Sequence, residues 1–554
     1  MLLLCLGAVP ALRVNTPPRG GVCMSAAGAE VATCRAPGQA SGGDDGDFRG
    51  APADFCASRA RNGPVFATGV AGGAVFVGDA AALTALSSSP ATSVAASAGR
   101  SDDELCAPFA RAKADTDGLD EFNAVCYKEM FEWIPKCDAR ANLRFAFRST
   151  AIFQLPSFAH THTHTHTHTH THTHTHTSVS LFPTLPTTIA LPARYKEAGF
   201  STFRFEDFID GRVRRLVPSV RKLVLKSTAP LLFGTSYAAL PALLGFESAK
   251  QLEAAYTSYA TTLRGPAKMA FAMPSLFDMD GGKGDAKALE AGLAAWARGG
   301  SSGGFLGASA AAGAGSGASL LWELASSVEQ TTALASNMLC SAAVGKHGMH
   351  KECCADLVKE QTEALAGQPP NADITVETLS RMPQLEAFAR EVMRVYPPSR
   401  PTRSKLTEAV VLPPAAASSS AIELPAGALV APEPFVACAA CDSPTRFTPS
   451  RQLAEAATAP PPLLPFGTAV PGAPDASAAA VYGEGSAAGT RLAVNLAKSL
   501  YVQASRMFEE VIIGAEPQPT PSGNPVHCVG DKIEVLLKPK MYYELQRGVK
   551  KLNF

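Results

Sequence analysis

Apolar residues recur at helical spacing through residues 319–345, at Leu320, Leu324, Val328, Leu334 and Leu339, and this predicts the longest helix of the chain. Residues 203–234, FRFEDFIDGRVRRLVPSVRKLVLKSTAPLLFG, share that spacing and are expected to be helical throughout. SAKQLEAAYTSYATTL and the alanine-rich run that reaches Trp296 extend the helical pattern. Residues 118–148 also look helical, with a break at Pro135. The period changes near both ends. Residues 64–78, PVFATGVAGGAVFVG, read as two short strands around a glycine turn, and Asp79 then caps a short helix. KIEVLLKP alternates like a final strand, and the Gly/Ala/Ser-rich stretch 299–318 reads as a flexible loop.

EVMRVYPP, Glu391 to Pro398, carries more chemistry than its length suggests. It places Glu391 and Arg394 on one helical face, where they can form a charge-assisted hydrogen bond. Pro397 and Pro398 then stop the helix and force an extended continuation. A PAG turn (Pro425–Gly427) follows, then DSPTRFTPSR (Asp442 to Arg451) and LPFG (Leu464 to Gly467). A glycine-rich loop last runs into an amphipathic helix, GEGSAAGTRLAVNLAKSLYV.

Composition narrows the reading. The 554 residues suffice for two to four average domains, or for one large single-core enzyme with insertions. Lys plus Arg equals Asp plus Glu at 49 each, so no global field favours nucleic acid or acidic membranes. Thirteen scattered cysteines show no framework spacing, which argues against a disulfide scaffold. CAAC (Cys438 to Cys441) lacks the partner pair that a zinc or redox role needs. The opening MLLLCLGAV is too short to span a bilayer, and no acidic residue precedes Glu30. That pattern suits a signal or plastid-type transit peptide. Residues 160–177 alternate His and Thr and hold nine of the twelve histidines; we read them as a low-complexity insertion. Outside it, His347 and His350 in a glycine-containing turn are read as solvated, and neither they nor His527 is read as a ligand.

In order and content, the motifs resemble the C-terminal half of the cytochrome P450 family, the haem-thiolate enzymes. Glu391 and Arg394 match its E-x-x-R, and Phe447, Pro449 and Arg451 match its F-x-P-x-R meander. Gly489, Leu492 and Ala493 match its C-x-G-x-x-L-A helix start. The resemblance is clear over roughly 319–511 and thin before that. It implies a mainly α fold with a small β subdomain, and a buried structural triad of Glu391, Arg394 and Arg451. Haem is the implied cofactor, with Phe466, Gly467, Gly489 and Arg403 in the binding set. A small lipophilic substrate and an electron-donating reductase follow as partners, with no nucleic acid. Trp133 falls where the family often shows W-x-x-x-R, although Cys137 stands four residues later. The family's distal helix carries A-G-x-D/E-T-T, which relays protons to bound dioxygen. Its register here is Ser327-Val328-Glu329-Gln330-Thr331-Thr332, so Thr331 and Gln330 are the catalytic candidates and Glu329 faces elsewhere. The plainer reading is a polar patch on a core helix.

The thiolate position falls on Ala487, and an alanine methyl cannot ligate a metal. Tyr482 to Gly485, YGEG, offers a second aromatic-Gly start closer to it. Cys528 in HCVG forms a C-x-G, but no helix follows. No metal site is assigned. Three readings stay open: a haem-dependent monooxygenase impaired at Ala487, a fatty-acid hydroperoxide-rearranging enzyme of the allene oxide synthase or lyase type, and a non-catalytic protein of the same fold. The chain divides into a leader (1–45), an N-terminal hairpin and helices (46–153), the His-Thr insertion (154–190), and the helical core with the haem-side region (191–554). A plastid or endomembrane address is the expected localisation.

Overall fold

The computed structural model describes residues 32–33, 52–60, 65–68, 74–78, 80–88, 108–109, 111–114, 116–134, 188–189, 203–204, 213–263, 279–300, 303–311, 316–342, 344, 348–369, 372–399, 404–413, 421–433, 446–453, 488–513, 526, 528, 533–540 and 542–543. In chain order its first elements are β1 (Ala32–Thr33), α1 (Pro52–Ala60), β2 (Val65–Ala67), β3 (Val75–Val77), α2 (Ala80–Ser88) and α3 (Leu119–Phe131). The middle holds β4 (Thr188–Ile189), β5 (Phe203–Arg204), β6 (Val213–Arg215), α4 (Leu216–Phe233), α5 (Leu240–Leu243), α6 (Ala249–Thr262), α7 (Met279–Arg298) and α8 (Gly304–Ala311). Then come α9 (Gly317–Ser341), α10 (Cys354–Ala364), α11 (Val376–Ser380) and α12 (Pro383–Val395), followed by β7 (Ser404–Lys405), β8 (Val410–Leu412), β9 (Ile422–Leu424) and β10 (Leu429–Pro432). The last are α13 (Ala488–Met507), β11 (Phe508–Ile513) and β12 (Glu534–Pro539).

The helix predicted over 319–345 is α9, and it runs through the main apolar core between α4, α7 and α13. Ser316 caps it by accepting a hydrogen bond from Ser319 N at 3.1 Å. Nearly all of its residues are buried, polar ones included. α12 starts at Pro383, a position where a missing N–H is harmless, and ends one residue before the proline pair. Its exposed first amides, Gln384 N and Leu385 N, are taken by the Glu360 carboxylate of α10 at 2.5 and 2.8 Å.

The predicted hairpin forms, with β2 antiparallel to β3 (Val65 opposite Val77), and α2 follows it. Its sheet is completed from far along the chain. β10 lies parallel to β3 and antiparallel to β7, in the order β2-β3-β10-β7. The small β subdomain is therefore assembled from both ends of the sequence. The PAG turn also forms: Ala428 N bonds Pro425 O at 3.1 Å, and Gly427 takes a φ of 83° that favours glycine.

Two expectations are corrected. Residues 203–234 are not helical throughout: β5 and β6 precede α4, because Val213–Arg215 is drawn into a ladder with β12, itself paired with β11. The stretch 299–318 holds α8 and the start of α9, its alanines supplying helix propensity that outweighs its glycines. Within the stretch read as a leader, β1 pairs parallel with β9 (Ala32 opposite Ile422). The last residues of the His-Thr insertion as bounded above include β4, which pairs with β5. Among the described residues no helix is long and apolar enough to cross a membrane.

α3 and α4 pack side by side, and the chain between them begins and ends at one place. Arg214 donates to Glu132 O at 3.4 Å, and its guanidinium lies 6.0 Å from the centre of the Trp133 ring. Trp133 is thus spoken for by Arg214 at the end of α3.

Candidate functional site

Glu391 on α12 is fully buried. Helical geometry brings Arg394 onto it in a bidentate pair, Nε to Oε2 at 2.9 Å and Nη2 to Oε1 at 2.7 Å. The 3-10 turn Pro449–Gln452 supplies the rest. Arg451 Nε stands 3.2 Å from Oε1, Thr448 N donates to Oε1 at 2.7 Å, and Gln452 Nε2 donates to Oε2 at 3.1 Å. Both guanidiniums also donate to Arg446 O, at 2.8 Å from Arg394 and 3.2 Å from Arg451. The three residues of the expected triad are in contact. A carboxylate removed from water is held here by two cations and two neutral donors, the condition under which a buried charge is tolerated.

Phe447, the aromatic of the meander motif, seals this cluster. Its ring stacks on His350 at 3.8 Å between centroids, 5° from parallel, and meets Phe388 edge-on at 5.9 Å. His350 is therefore half-buried rather than freely solvated, as its glycine-containing turn suggested. Its backbone N–H bonds Ser341 O at 2.7 Å, its Nε2 lies 3.4 Å from Tyr396 Oη, and its Nδ1 lies 3.8 Å from Glu352. Burial lowers its pKa, against the smaller opposing pull of Glu352 and Glu391. Burial also pushes the adjacent Cys353 and Cys354 thiols up to about 11, so both stay protonated near neutrality. His347 lies outside the described residues.

On α9, Thr331 and Gln330 are both fully buried, and Thr331 Oγ1 donates to Ser327 O at 2.8 Å, one turn back. Glu329 does face elsewhere. Its carboxylate receives Arg221 Nε from α4 at 3.1 and 3.2 Å to its two oxygens, and Tyr256 Oη from α6 at 3.1 Å. Burial, then the Glu329 charge, raises the Tyr256 pKa well above its usual value, so the phenol stays a donor. Arg221 and Tyr256 thus tie the Glu329 carboxylate into the packing of α4, α6 and α9. This cluster was not anticipated. Its signal was a carboxylate that, with Glu323, is one of two in an otherwise apolar or neutral helix and so demands a cation, while Arg221 stands on the largely apolar α4.

At the start of α13, Gly489 is pressed against another segment. A Cβ built there would sit 2.2 Å from Phe109 O and 2.4 Å from Pro108 O. Only glycine fits. Leu492 and Ala493 are fully buried on the same helix. Ala487, Phe466, Gly467, Arg403, YGEG and CAAC fall outside the described residues. Cys528 is buried, and β12 is the next regular element after it. Among the described residues no group of three or more His, Cys, Asp or Glu side chains could hold a metal ion.

No family model matches the chain, and no curated protein matches it in sequence. Solved structures do match. A crystal structure of a cytochrome P450, CYP102L1, superposes with a TM-score of 0.50 at 12% identity, covering 89% of this chain and 99% of that one. The fold is cytochrome P450-like. The retinoic-acid-bound cyanobacterial CYP120A1 is also similar, with a TM-score of 0.48 at 16% identity over 89% of this chain and 96% of that one. In the motif's register the described residues of α13 offer a haem no thiolate. Position 487 is alanine, and the first turn of α13 that follows it, Ala488 to Arg491, carries no sulfur or imidazole.

Proposed function

We propose that this chain is a cytochrome P450-like haem protein acting on a small lipophilic molecule, in which dioxygen activation is impaired because the proximal position is Ala487. The observation that carries the reading is the Glu391–Arg394–Arg451 cluster, built under a long buried helix on a P450-like fold. On this reading, position 487 gives the haem no sulfur bond. The distal side supports the impairment. Gln330 has no acidic proton to deliver, and Glu329, the one carboxylate beside it, is fixed on Arg221 and Tyr256. An electron-donating reductase and a plastid or endomembrane location belong to this reading, the latter on the pattern of the first thirty residues.

The test is a haem titration of the purified chain, followed by reduction and carbon monoxide. The unmodified protein should bind haem without the thiolate-type Soret band, and Ala487→Cys should gain that band. If neither protein takes up haem, the reading falls. The lost acid at Gln330 favours a second reading, rearrangement of a fatty-acid hydroperoxide, which needs neither dioxygen nor a reductase. Turnover of such a hydroperoxide by the Ala487→Cys variant with no reductase present would select it.

A further inference from the structure

Pro108–Phe109 joins the two motif-bearing helices through a single residue. Phe109 N donates to Ser327 Oγ at 2.9 Å, and Ser327 is the first residue of the distal motif on α9. The carbonyl of the same residue lies against Gly489 Cα, the glycine of the proximal motif on α13. The backbone of one residue therefore reaches from one wall of the proposed site to the other.

That residue is held unusually firmly. Phe109 has a φ of 47°, in the left-handed region, and among the described residues it is the one non-glycine with a positive φ. Such a conformation costs of order 1–3 kcal/mol and persists only where the surroundings over-determine it. Here they do. The Phe109 side chain is fully buried and meets Phe305 of α8 edge-on at 6.2 Å. Its carbonyl also accepts Ala112 N at 2.8 Å. Two residues on, Arg111 Nε donates to Ser309 Oγ at 3.2 Å, and Ser309 donates to Glu323 of α9 at 2.8 Å. The turn thus grips α9 twice, one turn of helix apart, at Glu323 and Ser327.

We infer that the Phe109 peptide is a spacer that fixes the separation of α9 from the first turn of α13, with Ser327 as the positioning residue that anchors it. That this gap is a binding site rests on the function proposed above; the coupling of the two helices does not. α9 and α13 also pack directly on each other, but the Ser327 hydroxyl bonds Phe109, so its loss should be felt at the first turn of α13 through that peptide.

The test is amide hydrogen exchange on the full chain without added haem, so that a failure of the haem reading leaves the result readable. Ser327→Ala should speed exchange at Phe109 and also at Leu492 and Ala493 in α13, by roughly tenfold, the scale of one lost hydrogen bond. The Thr448 amide, bound to Glu391, should not change. Ser327→Thr, which keeps the hydroxyl, should restore the original rates. Faster exchange confined to Phe109, or no rescue by Ser327→Thr, overturns the inference. A second measurement needs no variant. With rising denaturant, the Phe109, Leu492 and Ala493 amides of the unmodified chain should open with one common free energy, and separate openings also overturn it.

Discussion

Glu391 and Glu329 are both fully buried carboxylates held by an arginine, and they differ in how that arginine is reached. Glu391 finds Arg394 three residues away on its own helix, so the pair is set as soon as α12 forms. Its other ligands come from one short segment, 446–452, which it folds around itself. Glu329 finds Arg221 at 108 residues' separation and Tyr256 at 73, so three helices must pack before it is satisfied. The first cluster organises a loop that has little other reason to hold its shape. The second joins helices that already share an apolar core. A carboxylate of the first kind is hard to replace, because backbone groups depend on it. One of the second kind can be exchanged for apolar volume.

The largest effect expected from this contrast is at Glu391. Glu391→Ala strands Arg394, Arg451 and Thr448 N, and should cost about 3–5 kcal/mol in denaturant unfolding. Joint replacement of Glu391 and Arg394 by leucine should not recover the loss, since Thr448 N and Arg446 O lose partners as well; recovery would put the two clusters in one class. Next comes Glu329. Glu329→Leu alone should cost about 3 kcal/mol by leaving the Arg221 charge buried. Adding Arg221→Met should restore most of it, measured in the same unfolding curves, and a double variant no better than the single would break the comparison from the other side.

The smallest effect separates the clusters by pH. The folded state disfavours a charged His350, because burial outweighs the pull of Glu352 and Glu391. As pH falls through about 6.5, the unfolded chain takes up this proton first. Stability should therefore be full above that value, fall by at most about 1.4 kcal/mol per pH unit below it, and level off under the folded pKa. His350→Gln should flatten this portion of a stability–pH curve. An unchanged slope would remove His350 from the account.

What the sequence made legible follows the same division. α9 and α12, the hairpin, the PAG turn and the Glu391 triad were all readable, because spacing on one element or a turn residue's φ preference fixes them. Glu329's partners were not, since nothing in SVEQTT names an arginine a hundred residues earlier. His350 was misread because a glycine-rich turn suggests water, whereas a flat aromatic partner, Phe447, arrives from nearly a hundred residues downstream. β6 was misread as helix because Val213–Arg215 becomes a strand only when β12, at the other end of the chain, pairs with it. The lost glycine of the distal motif, Val328, and the retained one at Gly489 were both visible. The peptide that Gly489 makes room for was not.

The contact of Arg214 with Glu132 and Trp133 bears on how much length the chain tolerates between them. It closes the chain on itself at the neck between α3 and β6, so the His-Thr repeat belongs to a segment whose two ends already meet. Doubling the length of such a segment adds only about 0.6 kcal/mol of closure entropy. Lengthening or trimming the His-Thr repeat should therefore shift the denaturant midpoint of the folded body little.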